Sequence, residues 1–132
     1  MEILRTMGNI REEVELVGTL KSKRLLALFD SGAYRNYVRR TLTDGENIED
    51  VGFHIFEGTH NAILANGDVA TGERVRFREA RIKQCKVNEP EFIIMDNLLE
   101  DMIVGVRLMQ RLGILLDPLD EKISIRANRQ IE

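Results

Sequence analysis

The sequence predicts an all-β domain with one short helix near its C-terminal end, and three observations carry that expectation. Apolar residues recur either in alternation or in short unbroken runs, the two patterns of half-buried and fully buried strands. Turn-forming residues separate the runs, above all Asn66-Gly67 and Asp117-Pro118. Only one stretch, Val104 to Leu112, has apolar residues at helical spacing and then stops at a glycine, Gly113. With 132 residues, 43% of them hydrophobic, the chain is long enough to bury one sizeable core. Its two prolines, Pro90 and Pro118, and its scattered glycines mark no linker, so residues 1–132 are expected to form a single domain. No internal repeat at a period of about 20 to 50 residues points to a solenoid or propeller.

The elements follow in order. Val14, Leu16, Gly18 and Leu20 alternate with Glu15, Val17, Thr19 and Lys21, as in a strand with one partly wet face. A turn at Lys21-Ser22-Lys23 should lead into Arg24 to Asp30, a nearly continuous apolar run suited to a strand buried on both faces and ending on a carboxylate. Asn36 to Leu42 is ambiguous, and Asp44-Gly45 with Glu46, Glu49 and Asp50 reads as an exposed loop. Phe53, Ile55 and Ala62 to Ala65 run up to Asn66-Gly67, and Val69 to Val87 continues in strand-like spacing, which predicts a long hairpin and its return. Glu91 to Asp96 is another buried strand. Ile114 to Leu116 and Ile123 to Ile125 flank the turn Asp117 to Asp120, giving a terminal strand pair.

Composition excludes several functions. Nineteen Lys and Arg against 22 Asp and Glu leave a net charge of -3, which provides no basic field for nucleic acid or anionic membrane. Two tyrosines and five phenylalanines without a tryptophan supply few stacking platforms, so a nucleic-acid-binding barrel is a minor alternative. Cys85 is the only cysteine, which leaves no intrachain disulfide and no cysteine-based zinc site and suits a reducing compartment. Met1 to Arg11 contains Arg5, Asn9 and Arg11 and no unbroken apolar stretch, and no run of about 18 apolar residues occurs elsewhere. A cytoplasmic protein without a membrane span is expected.

Among candidate chemical groups, His54 and His60 lack further spaced donors, so no metal and no other cofactor is expected. Cys85 has no local base to activate it. Glu100-Asp101 reads as a solvated acidic turn, and Arg107 and Arg111, four apart, as the wet face of the short helix. Asp30-Ser31-Gly32-Ala33 stands apart because it directly follows the buried run Leu25 to Phe29, so its carboxylate emerges from the floor of a core. Gly32 permits a tight backbone turn beside the acid, and Ser31 can both donate and accept hydrogen bonds. As a bare triplet, Asp-Ser-Gly is an ordinary turn more often than a site.

Its context changes the odds. Downstream, Met102-Ile103-Val104-Gly105 is followed by a short helix and Gly113. An apolar strand into Asp30-Ser31-Gly32-Ala33, paired with an apolar-apolar-glycine, helix and glycine segment, resembles the retropepsin-like aspartic proteases, from about Val14 to Ile125. The chain looks closer to their cellular members than to the viral ones.

The resemblance implies an acid-protease-type β-barrel, closed or partly closed, in which the Asp30 loop and the strand into Gly105 cross at the base of a cleft. No second Asp-Ser/Thr-Gly occurs in the chain, since Asp68 to Gly72 has two residues between the acid and Thr71-Gly72. The implied enzyme is therefore a homodimer with Asp30 from each copy, an aspartic endopeptidase acting on extended peptide or unfolded protein, without metal or covalent intermediate. Ser31, Gly32 and Ala33 would support the catalytic loop, and Ile103, Val104 and Gly105 form the second motif. The hairpin around Ile63 to Gly72, with Ala65, Asn66, Gly67 and Asp68 at its tip, would be the substrate-covering flap, with Gly67 and Gly72 allowing movement. An ordinary exposed hairpin uses the same residues.

Two departures stand out. Tyr34 and Arg35 follow Ala33 where the viral enzymes carry acidic residues, and Val106 stands where they carry an arginine. The alternative to a protease is a non-catalytic dimerisation or peptide-binding module on the same fold.

Overall fold

The computed structural model describes residues 2–3, 10–63 and 67–126. The elements in chain order are β1 (Glu2–Ile3), β2 (Arg11–Val17), β3 (Ser22–Phe29), β4 (Tyr37–Arg39), a 3-10 turn (Ile48–Asp50), β5 (His54–Ile63) and β6 (Val69–Arg76). They continue with β7 (Glu79–Ile82), β8 (Cys85–Asn88), β9 (Glu91–Met95), β10 (Met102–Val104), α1 (Val106–Leu112), β11 (Ile114–Asp117) and β12 (Lys122–Ile125). The fold is thus mostly β with one short α-helix, which ends where Gly113 takes the left-handed conformation at φ 69°.

Two boundaries differ from the sequence reading, each for a tertiary reason. The first turn lies at Gly18–Lys21, three residues early, because the loop after the 3-10 turn holds it: Thr19 N–H donates to Gly52 O at 3.0 Å and Leu20 N–H to Val51 O at 3.0 Å. Leu20, expected to continue the strand, is exposed. The expected long return Val69 to Val87 is three strands. The chain breaks after β6 at Phe77 and Arg78, β7 leaves to pair with β2, and a two-residue turn with Lys83 at φ 52° reverses it into β8. Alternation alone does not say which neighbour a strand will pair with. Ile48, in a stretch expected to be an exposed loop, is fully buried.

Ten strands form one sheet in the order β1-β5-β6-β9-β4-β10-β3-β2-β7-β8, and β11 pairs with β12 apart from it. Among the described residues no ladder joins β1 to β8, so the pairing gives an open order and does not show the closed or partly closed barrel that the resemblance implies. One feature of this order positions the site. The consecutive strands β3 and β4 are not neighbours, because β10 lies between them, parallel to β3 and antiparallel to β4. The connection from residue 30 to 36 must therefore pass over the end of β10.

Strand alternation divides the buried residues between two faces. Ala27, Phe29, Val38, Ile94, Met102 and Val104 belong to the main cluster, which also holds Phe77 edge-on between Phe53 and Phe92 at 5.6 Å to each. Leu28, Tyr37, Ile93, Met95 and Ile103 fall on the other face and cluster with Ala33, Ala62 and Leu98. Burial of each large apolar side chain contributes about 1.5–3 kcal/mol. Just after β4, Arg40 ties the sheet together, donating to Asp96 and Glu73 at 2.6 Å each and to Glu49 at 3.3 Å. The hydrogen bond to Asp96, then that to Glu73, holds its guanidinium pKa above the ordinary value.

Candidate active site

Asp30 occupies the point at which the parallel β3–β10 ladder ends. Its backbone N–H donates to Val104 O at 2.9 Å, which continues the ladder one step beyond Phe29, and the residue is fully buried. Two residues after Leu28, it has the parity of the second face. The chain then turns sharply: Ala33 N–H donates to Asp30 O at 3.2 Å, and Gly32 N–H donates to Asp30 Oδ1 at 2.8 Å. A backbone donor on a carboxylate oxygen fixes the orientation of the acid. Ser31 at the turn is exposed, and Ala33 is buried in the second cluster.

Gly105 lies directly beneath this loop. A Cβ there would sit 2.3 Å from Arg35 O and 2.8 Å from Ala33 O, so only glycine lets the two backbones cross. Its φ of -94° is ordinary; proximity and not conformation requires it. The start of α1 then fastens to the loop, with Val106 N–H donating to Ala33 O at 2.7 Å and Arg107 N–H to Tyr34 O at 3.1 Å. The two sequence motifs, residues 30–33 and 103–105, are thus brought together through main-chain hydrogen bonds on both sides of Gly105.

Asn36 also belongs to the site, and sequence reasoning missed it. Its Oδ1 accepts from Gly105 N–H at 3.0 Å, its Nδ2 donates to Glu91 O at 3.2 Å, and its own carbonyl accepts from Ile93 N–H at 2.9 Å. The one available signal was an asparagine in a short loop, where its side chain commonly substitutes for backbone partners. The two tyrosines near the loop separate: Tyr34 is 53% exposed while Tyr37 is fully buried, its hydroxyl 3.3 Å from His60 Nε2.

The expected hairpin is present as β5 and β6, in antiparallel register from Thr59↔Glu73 to Ile63↔Val69. Of the tip residues, Ala65 and Asn66 lie outside the described residues; Gly67, at φ 90°, and Asp68 are exposed. Gly72 differs from its expected role as a pivot. It is buried within β6, where a Cβ would meet Ile93 Cγ2 at 2.4 Å and Ile94 O at 2.7 Å, so its small size serves close packing against β9. β1 pairs in parallel with the far end of β5, at Ala62 and Ile63.

Other candidates find local roles. His54 is exposed and His60 lies against Tyr37 with ring centroids 6.1 Å apart. Cys85 is buried at the start of β8. Glu100 and Asp101 are more than a solvated turn: Glu100 accepts from Arg11 Nε and Nη2 at 3.0 Å each, and Asp101 accepts from Thr43 N–H at 2.9 Å and Thr43 Oγ1 at 2.8 Å. Among the described residues no helix is long and apolar enough to cross a membrane.

Chemically, the crossing offers one buried carboxylate on a rigid loop, with a backbone donor fixing one oxygen. A family model described as aspartyl protease matches residues 16–108, a span that includes both motifs and Asn36. Among curated proteins, none matches the chain.

Proposed function

The chain belongs to the aspartyl protease family, and we propose that it is an aspartic endopeptidase whose catalytic pair is formed by Asp30 from two copies of the chain. The observation that carries this reading is the placement of Asp30, fully buried at the end of the β3–β10 ladder and gripped by Gly32 N–H at 2.8 Å. One copy supplies one such acid, and a two-fold dimer is the economical way to bring up a second.

Two carboxyl groups about 3 Å apart share a single proton, because both cannot ionise at that separation. The ionised member takes a proton from water as the hydroxyl adds to the peptide carbonyl carbon; the protonated member gives its proton to the carbonyl oxygen. In the second half the member that took the water proton gives it to the nitrogen, the C–N bond breaks as the other member takes a proton back from a gem-diol hydroxyl, and a carboxylic acid and an amine leave. Ser31, Gly32 and Ala33 support the loop, with Ser31 facing outward toward the partner copy. Ile103, Val104 and Gly105 carry the loop on their backbone. The β5–β6 hairpin, with the tip at residues 65–68, acts as the flap over an extended peptide or unfolded protein chain. The lone buried Cys85 suits a reducing compartment, and action in the cytoplasm is part of the proposal.

The test is digestion of a mixture of unfolded proteins between about pH 4 and 7, at concentrations that favour a dimer, with products read by mass spectrometry. Asp30→Asn keeps an oxygen for the Gly32 amide hydrogen, so it should fold as wild type does. Cleavage by the wild type that is lost in Asp30→Asn supports the proposal. A dimeric wild type that cleaves nothing moves the reading to a non-catalytic peptide-binding module.

A further inference from the structure

A second site adjoins the connection that follows Asp30, which contributes Arg35 and Asn36 to its lining. Arg35, Arg76, Arg107 and Arg111 line one surface pocket of about 210 Å³, together with Glu89 and Glu91. In a chain of net charge -3, four guanidinium groups around one cavity is a local reversal of sign. Their compensation is partial. Glu91 is already shared between Arg74 at 2.9 Å and Arg35 at 3.6 Å, and among the described residues Arg76, Arg107 and Arg111 make no ion pair. Arg76 is held in place by an aromatic ring, its guanidinium 4.1 Å above the Phe56 centroid, and its Nε is buried with no hydrogen-bond partner. Such a group is stabilised by an incoming acceptor rather than by water alone.

The size of the pocket narrows the ligand. Sites for cofactors and drug-sized molecules run to about 300–1,000 Å³, so this one suits a single side chain. The position narrows it further. Arg35 is five residues beyond Asp30, and a chain that short spans at most roughly 18 Å. Arg107 is tethered to the same loop through Tyr34 O at 3.1 Å. An extended peptide advances about 3.3 Å per residue, so about five residues of substrate cover the distance from the acid to the pocket.

We infer that the Arg35–Arg76–Arg107–Arg111 pocket receives the carboxylate of a Glu or Asp side chain of the substrate polypeptide, within about five residues of the bond that faces Asp30. This rests on the reading of the chain as a peptide-directed enzyme, and it adds a preference for acidic flanking sequence. Bidentate guanidinium–carboxylate contacts supply the recognition. Arg107 and Arg111 are exposed on one face of α1 and can be replaced without touching the core.

The test uses binding, so that it does not depend on turnover. Two fluorescein-labelled peptides of one mixed sequence, identical except that one carries glutamates where the other carries glutamines, are titrated against Asp30→Asn protein by anisotropy. The expected result is about tenfold tighter binding of the glutamate peptide, weakening as salt is added, and equal, weak binding of both by the Arg107→Gln/Arg111→Gln form with an unchanged melting temperature. Equal binding of the two peptides overturns this inference alone, as does a glutamate preference that survives the double replacement. Inorganic phosphate that binds with the same arginine dependence while the peptides are not discriminated assigns the pocket to a free anion and likewise overturns it. If neither peptide binds, the peptide-directed reading falls and this inference falls with it.

Discussion

Asn36 Oδ1 accepts the amide hydrogen of Gly105 at 3.0 Å, across 69 positions of sequence, and this bond closes the crossing that presents Asp30. Because β10 separates β3 from β4, the loop between them turns over the end of β10, where main-chain bonds from Val106 and Arg107 to Ala33 O and Tyr34 O hold it. Asn36 adds two bonds from its side chain, accepting from Gly105 N–H and donating to Glu91 O.

Asn36→Ala should therefore cost about 1–3 kcal/mol, the range for leaving a partly buried backbone donor unsatisfied. Asn36→Asp keeps the acceptor and loses the donor, and should cost less. Urea midpoints for the three proteins decide the matter; an Asn36→Ala midpoint equal to wild type would mean that the bond contributes nothing.

Gly105→Ala should destabilise by about 3 kcal/mol, at the upper end of overpacking, because its Cβ would press on the carbonyl oxygens of Arg35 and Ala33. Gly67→Ala makes the useful contrast. Gly67 has φ 90° but nothing within 4 Å of an added Cβ, so only backbone strain of about 1–2 kcal/mol is expected. Equal losses in thermal unfolding would refute the distinction between crowding and conformation.

Gly72→Ala should lower stability by about 1–3 kcal/mol, since β9 is packed against its Cα face. A residue serving as a pivot would instead change hairpin mobility at constant stability. Hydrogen exchange along β5 and β6 separates the two outcomes.

At the start of β3, the Lys23 hydrogen bond lowers the Asp44 pKa, with help from the Glu46 backbone, and the Lys21 and then Lys23 hydrogen bonds lower that of Glu46. A folded pKa below the unfolded one gives stability that is present above the unfolded value and lost as pH falls through the folded value. Lys23→Gln should raise both carboxyl titrations, as followed by NMR, and leave stability less dependent on pH below the ordinary carboxylate range. Titrations that do not move would show that the bonds are absent in solution.

Catalysis by a shared pair of Asp30 residues requires that specific activity rise with protein concentration until dimer saturates, with a bell-shaped pH profile from the two coupled ionisations. Activity strictly proportional to total protein down to nanomolar dilution, with monomer shown by sedimentation, would sink the dimeric mechanism.

Several features were legible because they depend on local pattern. The apolar run before Asp30, the turn chemistry at Ser31-Gly32, and the glycine stop at Gly113 each reflect a requirement met within a few residues, and β3, β9, α1, β11 and β12 lie close to where those signals put them. The three-strand division of residues 69–88 was not legible. Strand spacing is the same whether a segment continues beside β5 or leaves to pair with β2, and only the sheet order decides. The turn at Gly18–Lys21 likewise depends on carbonyls from Val51 and Gly52.

By itself the sequence determined a mostly β chain with one short helix, a single acidic motif at the end of a buried strand, and a second motif built around a glycine, because strand period, turn residues and the αL preference of glycine act over short range. Tertiary structure alone decided that β10 lies between β3 and β4, that Gly105 is needed for closeness rather than for its φ, that Asn36 completes the crossing, and that Arg35, Arg76 and the Arg107–Arg111 helix face share one pocket. Each of these depends on backbone hydrogen bonds and contacts between residues far apart in the chain, which leave no periodicity for a linear reading to find.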